Sequence, residues 1–183
     1  MRSFIFILSL ILSTLLFVID TYGQSSSDGV TVNIVFHPIQ TIIVNSSQKN
    51  VELQYLTKED YNEGVVATLD DHLTVTSTGG FQVNVSSVQE DFTLSGSGES
   101  ISVSDLSIRA INGTDNDLTQ IFDNVILSTR PESLIKSGIG GVNLKYNVTY
   151  DNTAGASDKY VNLNLGNSEA IFSTEITYTI TSK

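Results

Sequence analysis

Phe172-Ser173-Thr174-Glu175-Ile176-Thr177-Tyr178-Thr179-Ile180-Thr181-Ser182-Lys183 closes the chain. In an extended strand, successive side chains point to opposite faces. Phe172, Thr174, Ile176, Tyr178 and Ile180 therefore share one face, and Ser173, Glu175, Thr177, Thr179 and Thr181 the other. The β-branched and aromatic content favours the same conformation. This strict period of two predicts a strand with one dry and one wet face, and the reading extends to most of the chain.

Val142, Leu144, Tyr146, Val148 and Tyr150 alternate with Asn143, Lys145, Asn147 and Thr149 just after Gly140-Gly141. Leu73 and Val75 lead into Ser77-Thr78-Gly79-Gly80, and Phe81, Val83 and Val85 leave it, which predicts a β-hairpin. Shorter alternations begin at Val51 and at Phe92. Ile101 to Ile108 reads as a longer strand with a bulge near Asp105. Val125 with Leu127 makes a short strand, and Val161, Leu163 and Leu165 make another. Pro131 to Ser137 fits one helical turn ended by Gly138. Near the start, Val30, Val32, Ile34 and Phe36 alternate until His37-Pro38 interrupts, and Ile39 to Val44 resumes the pattern. Roughly nine or ten short strands separated by turn chemistry predict an all-β, mostly antiparallel single β-sandwich of immunoglobulin-like or Greek-key type.

Met1-Arg2, the apolar run Phe4 to Ile19 and Thr21-Tyr22-Gly23 together match a signal peptide cut at Gly23/Gln24. The run is shorter than the ~20 residues that span a bilayer core. Residues 1–23 are thus expected to be a signal peptide, and 24–183 a β-sandwich domain with no transmembrane segment. The expected location is secreted, at the cell surface, with periplasmic transit in a bacterial source. With 0 cysteines there is neither an acylated cysteine nor a disulfide, so burial and strand pairing must hold the domain. A net charge of −11 without a basic cluster excludes nucleic acid as a partner.

No residue set supports catalysis, and the chain is read as a non-enzyme. His37 and His72 are the available neutral-pH bases, but adjacent residues such as Asp71 and His72 face opposite ways on a strand. His72 reads as a polar residue at a strand entrance. Gly138-Ile139-Gly140-Gly141 lacks the Lys-Ser/Thr of a phosphate loop and reads as a turn. Asn112, Asp115 and Asp117 sit in a six-residue run of oxygen-bearing side chains. Two readings stand for it: a calcium loop, or an Asx-type loop whose side chains bond their own backbone. No other cofactor is indicated. Asn-x-Ser/Thr sequons begin at Asn45, Asn84, Asn112 and Asn147, the second and last on predicted outward faces.

The final strand, with Tyr178 close to the C-terminus, resembles the last strand of fimbrial subunits, which a periplasmic chaperone binds. It is similar also to spore-coat-U-type surface β-sandwiches. The ending Tyr178-Thr179-Ile180 resembles the WxL type of cell-wall-binding domain as well, without its tryptophan. The fimbrial resemblance implies a cell-surface structural or adhesion protein whose partners are itself or related subunits. Assembly would proceed by strand addition, an extension from one subunit filling an open edge of the next. Val30, Val32, Ile34 and Phe36 would be the donated side chains, and Phe172, Ile176, Tyr178 and Ile180 the receiving strand. The departure is the missing disulfide, and a closed sandwich with a self-paired first strand is the other form. The alternative function is a monomeric binding module for a cell-wall or other glycan, with Tyr55, Tyr61, Tyr150 and Tyr160 as candidate contacts.

Overall fold

The computed structural model describes Gly23, residues 25–163 and residues 169–183. The signal peptide expected over 1–23, Gly23 excepted, and Leu165 lie outside these residues. Two units are distinguished, Met1–Phe36 and His37–Lys183. In the first, residues 25–36 form no strand or helix and are exposed.

The second unit is built from period-two segments that pair antiparallel throughout. One sheet has five strands in the order β1 (Gln40–Val44), β2 (Val66–Ser77), β10 (Gly141–Asp151), β6 (Ser107–Asn112) and β8 (Asn124–Ile126). A second has four, in the order β12 (Ile176–Ser182), β3 (Phe81–Ser87), β9 (Glu132–Ser137) and β7 (Ile121–Phe122). A small ribbon of β11 (Phe172–Ser173), β4 (Asp91–Leu94) and β5 (Ser100–Ser102) prolongs the β12–β3 pairing past Val88, whose N–H bonds the Glu175 carbonyl. A short helix, α1 (Lys58–Glu63), starts at a capping box in which Thr57 and Asp60 satisfy each other's backbone N–H groups.

The inward residues of the two large sheets meet in one core. Leu73, Val75, Ile108, Tyr146 and Val148 come from the five-stranded sheet, and Phe81, Val83, Leu134 and Ile135 from the other; all are 0% exposed. This is the expected all-β sandwich, and the alternation of β3 and β12 is as expected. In β10 it holds from Leu144 to Tyr150, whereas Val142, expected on the inward face, is 74% exposed because the register shifts between Gly141 and Leu144.

Four local expectations are corrected. β2 and β3 are not a hairpin, because β2 pairs with β1 and β10, whereas β3 pairs with β12 and β9. Ser77 to Gly80 instead carries the chain from one sheet to the other. Its counterpart at the same end is Ser137 to Gly141, which returns the chain from β9 to β10. In both corners a serine hydroxyl bonds the carbonyl two residues on, Ser77 to Gly79 at 2.8 Å and Ser137 to Ile139 at 2.7 Å. The corners touch backbone to backbone, and a side chain at Gly140 would overlap the Ser77 carbonyl oxygen.

The segment Pro131 to Ser137 is strand, not helix. Between Ile135↔Val83 and Ser133↔Asn84 one extra residue, Leu134, is accommodated, so Leu134 and Ile135 both turn inward. Burial of two large side chains against β3 outweighs the local helical preference. At Asp105 a 3₁₀ turn, Val103–Asp105, replaces the expected bulge. Val161 and Leu163 lie in turns rather than a strand.

Candidate functional site

Each sandwich edge poses the same chemical problem, an unpaired row of N–H and C=O groups beside the end of the core. The two edges are treated differently. On one side β7 belongs to the four-stranded sheet and β8 to the five-stranded sheet, and Asp123 alone separates them. One chain segment thus serves both sheets and bridges them on that side, although β7 and β8 are each paired on one side only. The Asp123 N–H bonds the Leu134 carbonyl at 3.0 Å, and its carboxylate holds Lys136 Nζ at 2.7 Å.

On the other side β1 and β12 flank each other with no ladder between them. β1 pairs only with β2, and β12 only with β3, so each presents a free edge among the described residues. Packing reports the same opening. Ile42 and Val44 of β1, and Ile176, Tyr178 and Ile180 of β12, point toward the core but are only partly buried. Their neighbours one strand further in, Leu73, Val75, Phe81, Val83 and Val85, are at most 1% exposed.

The seam is tied at one end. Thr78 N–H bonds the Ile39 carbonyl at 3.0 Å, and Lys183 N–H bonds the Gly80 carbonyl at 3.1 Å. A cleft of about 550 Å³ lies there, lined by Pro38, Gln40, Thr78, Gly79, Gly80, Ser182 and Lys183. Gln40 pairs with Ser77 and Ser182 with Phe81, so β1 leaves this corner while β12 approaches it. The two free edges therefore run in opposite directions.

Of the residues named from sequence, Ile176, Tyr178 and Ile180 line the seam. Phe172 continues the row on β11, opposite Leu94. In the N-terminal unit, Val30 and Phe36 are 87% exposed and Val32 and Ile34 78%. The self-paired first strand expected as the other form is not formed by these residues; the first strand of the sandwich is β1.

A buried polar chain beneath the seam escaped the sequence reading. His72 is not at a strand entrance but in the middle of β2, 1% exposed. Between Leu69↔Val148 and Leu73↔Tyr146, three residues of β2 oppose the single Asn147. Asp71 takes φ 49 in this bulge, which turns His72 and Leu73 inward together. Aspartate tolerates that left-handed geometry better than most residues. The Asp71 carboxylate faces elsewhere, accepting from Thr114 N–H at 2.8 Å and Lys145 Nζ at 3.2 Å, and these bonds hold its pKa below the usual value.

His72 Nδ1 lies 3.0 Å from Gln48 Oε1, and Nε2 lies 2.8 Å from the Tyr150 hydroxyl. Tyr150 in turn is 2.6 Å from the hydroxyl of Tyr178 on β12. Burial lowers the His72 pKa from 6.5, pushes Tyr150 up to about 12 and raises Tyr178 well above the usual tyrosine value.

The remaining tyrosines form a second cluster. Tyr160 donates to Asp105 at 2.7 Å, Lys159 Nζ grips the same carboxylate at 2.6 Å, and Tyr55 bonds Asn152. Burial pushes Tyr55 up to about 12 and Tyr160 higher still. Tyr55 stacks obliquely on Tyr61 and edge-on against Tyr160.

In the polar loop, Asp115 and Asp117 are exposed. Asn112 donates to the Leu118 carbonyl at 3.0 Å, and the buried Asn116 to that of Lys145 at 2.9 Å. No group of three His, Cys, Asp or Glu side chains poised for a metal occurs among the described residues. Of the sequon asparagines, Asn45 caps the Ser46–Gln48 turn and Asn147 accepts the Asp71 N–H at 2.8 Å.

No family model matches the chain, and no curated protein matches it. Among solved structures it is similar to a chain of a chaperone–usher pilus, with 13% identity and a TM-score of 0.38, over 89% of this chain and 99% of that one. Similarity at that level leaves the functional reading to the geometry of the chain itself.

Proposed function

We propose that the chain is a structural subunit of an extracellular assembly, joined to its copies by strand addition. The segment Val30 to Phe36 of one copy enters the seam between β1 and β12 of the next. The observation that supports this is the pair β1 and β12, which lie side by side without a ladder between them over apolar side chains left only partly buried.

The donor matches the receiver in length and period. β12 has 7 residues, as does Val30 to Phe36, and at about 3.4 Å per residue both extend roughly 20 Å. Four apolar side chains at every second position would fall between Ile42 and Val44 on one side and Ile176, Tyr178 and Ile180 on the other. Because β1 and β12 run oppositely, the inserted strand would be antiparallel to one and parallel to the other. The two strands approach within 8 Å and would part to the roughly 9.6 Å that a ladder on both sides needs. Until a donor arrives, a carrier protein that lends a strand would keep the seam covered, the role the periplasmic chaperone has for fimbrial subunits. Export through a cleaved signal at Gly23/Gln24 belongs to the same reading. A glycan platform is disfavoured, since Tyr150 and Tyr160 are buried and the Tyr55 hydroxyl bonds Asn152.

A denaturing gel of the chain beginning at Gln24, run with and without boiling, tests the proposal. A ladder in the unboiled lane that collapses on heating is expected. A single monomer band in both lanes at high protein concentration overturns it.

A further inference from the structure

The His72–Tyr150–Tyr178 chain has a determined direction. Gln48 Nε2 donates to the Asp70 carbonyl at 3.0 Å, which orients the amide so that its Oε1 faces His72. An amide oxygen only accepts, so His72 carries its proton on Nδ1. In the neutral ring Nε2 is then an acceptor and takes the Tyr150 hydroxyl proton. Tyr150 oxygen, its own proton spent, accepts from Tyr178. Every hydroxyl proton points inward, away from the seam, and every polar atom of the chain is satisfied.

A second proton on His72 can bind only at Nε2. That nitrogen becomes a donor to the Tyr150 oxygen, Tyr150 turns its proton toward Tyr178, and Tyr178 turns its own proton away from Tyr150. The partly buried side chains of the seam besides Tyr178 are Ile176 and Ile180 on β12 and Ile42 and Val44 on β1, and none of these side chains accepts a hydrogen bond. The Tyr178 side chain is partly exposed with the seam empty, and a strand laid over the seam would remove that access to water.

The geometry points to a proton-controlled latch on the receiving seam: protonated His72 reverses the hydroxyl chain and weakens capture of a donor strand. This inference rests on the proposed strand addition and adds its regulation.

The surroundings leave His72 as the group that titrates. The titratable groups facing its ring are Tyr150 from β10 and Tyr178 from β12, both raised by burial. β1 has no charged residue, and the Asn45–Lys49 turn contributes the neutral Gln48 to the ring. On β2 itself, Asp70 is exposed and the Asp71 carboxylate is bonded to Thr114 and Lys145. The desolvated ring titrates below 6.5, so neutral conditions favour capture and mildly acidic ones oppose it.

The test uses the full chain carrying Val32→Asp and Ile34→Asp, a receiver that cannot donate, and a fluorescent peptide of residues 29–36, which ends before His37. Peptide affinity is measured from pH 7.5 to 5 by fluorescence anisotropy. A loss of about tenfold or more on acidification is expected, the scale of one buried polar group left unpaired. Tyr178→Phe removes the outward-turned hydroxyl and should make affinity independent of pH, while unfolding of the same variant still depends on His72. His72→Gln should flatten both profiles. Nitrogen-15 NMR of the ring should show the Nδ1–H tautomer at neutral pH. Equal affinity across the range, or an undiminished pH effect in Tyr178→Phe, overturns the latch. Absence of peptide binding at every pH overturns the strand-addition reading beneath it.

Discussion

Ile34→Ala separates a donated side chain from a structural one. Ile34 is 78% exposed, so nearly all of its side-chain surface remains free to be buried by another molecule. The substitution removes three carbons. At about 0.8 kcal/mol per buried methylene, docking loses about 2 kcal/mol, or roughly thirtyfold in affinity. The folded monomer should be unaffected, because an exposed side chain with no special contact changes stability by no more than about 0.5 kcal/mol.

Val35→Ala is the matched control. Val35 is 71% exposed and nearly as apolar, yet it falls on the opposite face of an extended strand. In the proposed complex it stays in water, and the control should bind almost as well as the parent. Peptides of residues 29–36 carrying each substitution are titrated against the non-donating receiver, and each substitution in the full chain is also followed by thermal unfolding. The reasoning is refuted if Ile34→Ala and Val35→Ala weaken binding equally, which would mean sticky rather than registered contact. It is refuted also if Ile34→Ala lowers the thermal midpoint of the monomer.

Three further outcomes test the receiving sandwich. Asp105→Asn removes the charge facing Lys159 and leaves one acceptor oxygen where Lys159 and Tyr160 use two, and should lower stability by about 1–3 kcal/mol, seen as a lower urea midpoint. Gly140→Ala forces a methyl group against the Ser77 carbonyl oxygen where the two corners cross, at a cost of about 1–3 kcal/mol; Gly138→Ala, with nothing within 4 Å, should leave the thermal midpoint nearly unchanged. His72, neutral when folded and titrating near 6.5 when unfolded, makes the unfolded chain bind more protons as pH falls below 6.5. Stability should therefore decline from pH 6.5 down to the lowered folded pKa, and His72→Gln should flatten that slope. The lowered carboxylates Asp60 and Asp71 lose their contribution separately, as pH falls from about 3.8 through their folded values.

The legibility of this chain follows the reach of each signal. Alternation depends on the pleat alone, so β3, β12 and β10 from Leu144 onward were readable residue by residue, whereas Val30 to Phe36 alternates in sequence and forms no strand in the structure. Sheet membership depends on where the chain goes after a turn, and Ser77-Thr78-Gly79-Gly80 suits a hairpin as well as a corner between sheets. The difference lies in the distant Gly140 that packs on Ser77. Leu134 and Ile135 read as helix because two adjacent apolar residues violate alternation, and only the irregular pairing with β3 lets a strand bury both. His72 was missed for the same reason. It is out of phase with Leu73 and Val75, and the bulge that turns it inward sits on Asp71. The one available signal was Asp70-Asp71 before it, a pair of turn-tolerant residues and the carboxylates of an otherwise uncharged strand.

The edges carry the last step of the synthesis. Exposed strand edges invite pairing with other chains, and proteins that must remain apart protect them with lysine, proline, bulges or inward charges. The bridged side of this sandwich has such a guard, the Lys136–Asp123 pair beside the sheet-switching segment. β12 has none: from Ile176 to Ser182 it carries no charge, no proline and an unbroken register with β3. β1, Gln-Thr-Ile-Ile-Val, is equally bare and pairs with β2 without interruption. An unguarded edge over a half-buried apolar floor is a liability in a monomer and a requirement in a receiver of strands. The same chain carries a segment of matching length and period with its apolar side chains exposed. Both features are what the proposed strand addition requires of a receiver and a donor.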